Sequence, residues 1–154
     1  MKHTAKTFTV AALAALAISG APAAKADDRG CSTASLQGTF ADKDTGFIYP
    51  AANAPVPFAG VNLETFDGNG NIKGAGFASV GGGGAQHQTY TGTYKVNPDC
   101  TGTYSITLSP SGTQAHAFFV IDHSLNELQI VITDPGTVID CIARRQFAAD
   151  DWGQ

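Results

Sequence analysis

Residues 89–109 read Thr89-Tyr-Thr-Gly-Thr-Tyr-Lys-Val-Asn-Pro-Asp-Cys-Thr-Gly-Thr-Tyr-Ser-Ile-Thr-Leu-Ser109. Tyr90, Tyr94 and Val96 share one face, and Thr89, Thr91, Thr93 and Lys95 share the other. Beyond Pro98-Asp99-Cys100 the same alternation resumes, with Tyr104, Ile106 and Leu108 opposing Thr103, Ser105 and Thr107. A period of two with one apolar face is the signature of half-buried antiparallel strands.

Outward from this pair, no helical period longer than about two turns is found after Leu36. Short β-branched and aromatic runs alternate with Gly, Asn, Asp and Pro, which marks an all-β sandwich or barrel. Strands are expected at 35–41, 58–66, 71–80, 88–97, 101–109, 114–122, 127–133 and 137–147. The preferred arrangement is an eight-stranded antiparallel up-and-down barrel, with a two-sheet β-sandwich as the alternative. Asp67-Gly68-Asn69-Gly70-Asn71 reads as a β-turn. It fails as a calcium loop, because Ile72 and Ala78 stand where Gly and an acid are needed.

In an up-and-down chain, connections 2–3, 4–5 and 6–7 share one end, and all three are tight. The other end carries two long loops, Asp42–Pro57 with three prolines and Gly81–His87 with four glycines. That end is expected to be an open mouth. Ala117–Ile121 and Ile130–Ile132 are apolar on both faces, so strands 114–122 and 127–133 either sit centrally in a sandwich or pair with a second copy in a homo-oligomer.

Three cysteines allow three pairings. Cys100 lies in a tight-end connection, and Cys31 precedes the first strand, which starts at that end. Cys141 falls mid-strand, about 20 Å away at the usual rise, whereas bridged Cα atoms lie within about 7 Å. The expected disulfide is therefore Cys31–Cys100, with Cys141 a buried, inert thiol.

The N-terminus carries Lys2, His3 and Lys6, an apolar run over 8–18, and Ala24-Lys25-Ala26. This is the pattern of a cleaved signal peptide over 1–26, leaving one domain at 27–154 that is exported to the periplasm or secreted. Cleavage removes three lysines and no acid, so six basic residues face 13 acidic ones and the net charge is −7. An acidic chain without a basic cluster excludes nucleic acid and membrane surfaces as partners after cleavage and favours a neutral or cationic small molecule.

No nucleophile elbow, zinc-protease or phosphate-loop motif is present, and His87, His116 and His123 lack metal-ligand spacing, so no cofactor or metal is expected. His123 is expected to close a turn, and His116 to sit in the wall. Glu64 is the odd residue. If Phe58, Asn62 and Phe66 face inward, Glu64 is a buried acid able to act as a general acid or base. The favoured reading places Val61 and Leu63 inward and leaves Glu64 solvated. Phe47, Tyr49, Phe58 and His87 are the candidate ligand-binding residues at the mouth.

The stretches Cys31–Phe40, Thr65–Asn71, Gly92–Thr103 and Thr133–Thr137 resemble a group of small exported bacterial proteins, similar to calycin-like barrels of the allene oxide cyclase and dirigent type. The resemblance covers nearly all of the chain after residue 26 and rests on turns and strand starts. It implies an eight-stranded barrel, sometimes trimeric, whose apolar lumen shapes a small molecule. It also implies that the first two cysteines are the shared pair. No catalytic residue is carried over. The function expected is binding of a small, mostly apolar molecule at the loop-rich end. The alternatives are a cyclase or isomerase using Glu64, and a structural or surface oligomer.

Overall fold

The computed structural model describes residues 30–51 and 54–147; the expected signal peptide lies outside the described residues. A short 3-10 turn, Thr33–Ser35, leads into eight strands: β1 (Gln37–Ile48), β2 (Val56–Asp67), β3 (Asn71–Val80), β4 (Ala85–Val96), β5 (Thr101–Ser109), β6 (Gln114–Ile121), β7 (Glu127–Ile132) and β8 (Thr137–Phe147). Each pairs antiparallel with the next, and β8 returns to β1 to close the barrel. The up-and-down barrel is thus the fold, and the sandwich alternative is set aside. Closure leaves no free sheet edge.

The sequence reading misplaced the ends of three strands. β1 runs on to Ile48 and β2 begins at Val56, paired along their whole length from Gln37↔Asp67 to Ile48↔Val56. The supposed Asp42–Pro57 loop therefore shrinks to residues 49–55. Pro57 is compatible with a strand because its missing N–H removes only one ladder bond. β4 likewise starts at Ala85, so Gly81–Gly84 is the turn and His87 belongs to a strand. The assignment of ends holds: the connections after β1, β3, β5 and β7 share one rim, and those after β2, β4 and β6 the other.

The two halves of the interior differ. Toward the second rim Leu36, Phe40, Phe66, Tyr94, Val96, Phe119, Ile121, Leu128 and Ala143 form a packed core. Phe66 meets Phe40 and Tyr94 edge-on, with ring centroids 5.4 and 4.9 Å apart. The chain before β1 crosses this end. Cys31 is bridged to Cys100 with Cα atoms 4.8 Å apart, and the Tyr94 hydroxyl donates to the Leu36 carbonyl at 2.7 Å while accepting from the Gly68 N–H at 3.0 Å. Arg145 lies over the Phe40 ring and donates to the carbonyls of Leu125 and Gln37. Asp67 closes the 68–70 turn by accepting from the Asn69 and Asn71 N–H groups, as the turn reading expects.

Candidate functional site

Above that core the lumen opens into a cavity of about 600 Å³ that reaches the first rim. Its upper wall joins the apolar Ile48, Phe58, Val80, Leu108, Ala115 and Ile132 to a rim of Gln88, Ser111, Thr113, Gln114, Asp134 and Thr137. Its lower wall is polar, with Asp42 and Asp44 from β1, Asn62 from β2, Tyr90 from β4, Tyr104 from β5 and Cys141 from β8. A second depression of about 470 Å³, bordered by Gln37, Thr39, Thr65 and Lys73, lies on the outer wall away from these groups.

Strand parity brings the floor together. Phe66, anchored between Phe40 and Tyr94, fixes the face of β2, and one fixed residue fixes every second one. Glu64 and Asn62 therefore point inward. Glu64 is 2% exposed, whereas Val61 and Leu63 are 58% and 53% exposed. This reverses the favoured reading of a solvated Glu64. On β1 the same parity carries Phe40 through Asp42 and Asp44 to Ile48.

The Asn62 Nδ2 donates to Asp44 Oδ2 at 2.8 Å and, at the 3.4 Å limit, to Asp42 Oδ2. The Tyr90 hydroxyl donates to Glu64 Oε2 at 3.2 Å. Asp42 Oδ1, Asn62 Oδ1 and Glu64 Oε1 are buried without a partner. Three carboxyls thus converge on few donors. Burial, then the nearby charges of Glu64 and Asp44, pushes Asp42 up to about 10. Burial, then Asp44, pushes Glu64 up to about 8 despite the Tyr90 hydrogen bond. Burial and the acids raise the Tyr90 and Tyr104 hydroxyls and the Cys141 thiol as well. Asp42 and Glu64 are thereby disfavoured as carboxylates, because charges so enclosed are costly.

Such a floor can donate or accept protons, and it can hold a positive charge. Asp42, Asp44 and Cys141 offer ligand atoms within 4.8 Å of one another, so they are the described residues placed to hold a metal ion. Cys141 is buried and unbridged as expected, but its neighbours are these acids.

Of the four mouth candidates, Phe58 lines the cavity. Phe47 and Tyr49 are exposed and do not line it. His87 lies on the outer face of β4, its ring 5.3 Å from Phe77. His116 also faces out, its Nδ1 2.7 Å from Oδ1 of the rim residue Asp134. His123 lies in the 122–126 turn, which Asp122 closes by accepting from the Asn126 and Glu127 N–H groups. Sequence reasoning missed Asp42 and Asp44 by assigning them to a loop. The signal was there: Phe40, Asp42, Asp44 and Ile48 keep a period of two with the inward face.

No family model matches the chain, and no curated protein matches it in sequence. Among solved structures, the chain is similar to a de novo designed fluorescence-activating β-barrel, at 12% identity and a TM-score of 0.48, over 71% of this chain and 93% of that one.

Proposed function

We propose that this protein is an exported barrel that takes up a small, mostly apolar molecule through its first rim. The observation that carries this reading is the 600 Å³ cavity, with an apolar collar above a polar floor. Ligand sites combine apolar walls with a few placed polar groups in this way. The Cys31–Cys100 disulfide accords with an oxidising, exported setting. Phe58 serves the ligand directly; Phe47, Tyr49 and His87 serve only if the rim rearranges around it.

Titration with the neutral fluorophore N-phenyl-1-naphthylamine tests the reading. A saturable, one-to-one rise in emission is expected. Ala115→Trp, which fills the lumen, should abolish it, while Thr91→Trp on the outer face should not. A response that does not saturate, or that survives Ala115→Trp, overturns it.

One observation favours a second reading, as a cyclase or isomerase. Asp42 keeps its proton and faces an aromatic-lined cavity, and Glu64 communicates with that cavity through Tyr90. Under this reading Asp42→Asn and Glu64→Gln abolish a conversion that the wild type performs on an extract of its host, followed by mass spectrometry, while fluorophore binding persists.

A further inference from the structure

The floor is short of positive charge, and the shortage is specific. Among the described residues no Lys, Arg or His lines the cavity. Arg145 is spent on main-chain carbonyls at the packed end. The polar groups of the floor come from five strands. β1 supplies Asp42 and Asp44, β2 supplies Asn62 and Glu64, β4 supplies Tyr90, β5 supplies Tyr104 and β8 supplies Cys141, and the further carboxyl of the lining is Asp134 at the rim. Asn62 is 7% exposed; its Nδ2 is aimed into the acids, and its Oδ1, over Gly76 of β3, has no partner. Asp42 is equally buried, and its Oδ1 has none either. Unmatched acceptors at such depth are rare unless something else completes them.

We propose that the molecule bound in this lumen is an amine, its protonated nitrogen seated on Asp42 and Asp44 between the rings of Tyr90 and Tyr104 and its apolar body in the collar. The inference rests on the lumen-binding reading above and names the ligand class. An ammonium group offers a hydrogen-bond donor to Asp42 Oδ1, which lacks one, and a positive charge to acids that have none beside them. The two tyrosine rings add a cation–π wall. An apolar collar of this size suits an alkyl or aryl tail, and the acidic chain draws cations toward its mouth.

The ammonium keeps its proton and pairs with Asp44, whose charge already acts on Asp42 and Glu64, while Asp42 Oδ1 accepts a further N–H. A bare metal ion fits less well. It would draw on the Cys141 thiol, which sits among carboxyls that oppose its ionisation, and it would leave the collar unfilled.

The test compares n-hexylamine with n-hexanol, equal in length and differing in the head group, by calorimetry. Hexylamine should bind about tenfold or more tightly than hexanol at pH 7.5. Asp44→Asn should erase the preference for hexylamine. Hexanol binding as tightly as hexylamine overturns the amine assignment and leaves the lumen reading intact. If neither binds, nor the naphthylamine fluorophore, both readings fail. Micromolar zinc chloride that blocks hexylamine with a stoichiometric heat of its own would reassign the floor to metal. The wild-type comparison needs no variant, so a misfolded Asp44→Asn does not blunt the test.

Discussion

Tyr90 reaches Glu64 across an intervening strand. Gly74 on β3 pairs with both, with Glu64 on β2 and with Tyr90 on β4, and the tyrosine ring lies flat over it. A Cβ at Gly74 would stand 2.2 Å from the Tyr90 Cζ. The glycine is what lets a phenol from one strand satisfy an acid two strands away.

Gly74→Ala should therefore push Tyr90 off Glu64. A loss of about 1–3 kcal/mol is expected from overpacking, together with an acid left without its one donor. Chemical denaturation measures the loss. Ala75→Ser, on the outer face of the same strand, should change stability by less than about 0.5 kcal/mol. Equal effects at the two positions would contradict the close approach.

Stability should fall as pH rises. A carboxyl whose folded value lies above its unfolded value binds more protons when folded, so its contribution is complete below about pH 4 and drains away as pH climbs through the folded value. For Glu64 that window runs from about 4.5 to about 8, and for Asp42 from 3.8 to about 10. Within its window each carboxyl contributes a slope of up to about 1.4 kcal/mol per pH unit. Asp122 works in the opposite sense below this range, because Ser124 and main-chain N–H groups hold it at about 2. Melting temperatures from pH 3 to 10 should peak near pH 4–5, and Glu64→Gln should flatten the alkaline arm. A melting temperature that climbs between pH 5 and 9 would refute the raised values at Asp42 and Glu64.

The Cys31–Cys100 bridge closes a loop of 69 residues. Its removal by the double serine variant should cost roughly 4 kcal/mol in the chain-entropy account, read as a lower urea midpoint. Binding of the naphthylamine fluorophore at the opposite rim should persist at low temperature. Loss of binding without loss of stability would show that the two ends are coupled.

Phe118 and Val131 stand directly opposite each other on the outer faces of β6 and β7, with Val120 beside them, all exposed. Self-association through this face is expected. Sedimentation should show an oligomer for the wild type and a monomer for Val131→Asp. A wild type that sediments as a monomer at high micromolar concentration removes the oligomer proposal.

Periodicity made the barrel legible, since Tyr90, Tyr94, Tyr104 and Ile106 alternate cleanly with threonines and serines. The disulfide followed from strand order, because an up-and-down chain puts Cys31 and Cys100 at one end. The floor was harder to read. Asp42 and Asp44 look like loop residues by composition, and Val61 and Leu63 look like core by hydropathy. Both impressions fail for the same reason. A closed barrel allows each strand a single parity, and Phe40 and Phe66 had already fixed it from the packed end. Polar residues then face inward wherever the sequence places them, and apolar ones are left outside. His87 was misplaced by the glycine tract before it, which ends sooner than its composition suggests.

The stitched and packed lower end has a kinetic consequence. With Leu36, Phe40 and the Cys31–Cys100 bridge sealing it, a guest has one doorway for arrival and departure. A charged head bound for the floor must shed its water while passing Ile48, Phe58, Leu108 and Ile132, and must cross the same greasy ring again to leave. On the proposed lumen binding, entry and exit should both be slow, and a captured guest should be retained far longer than its equilibrium affinity alone would suggest.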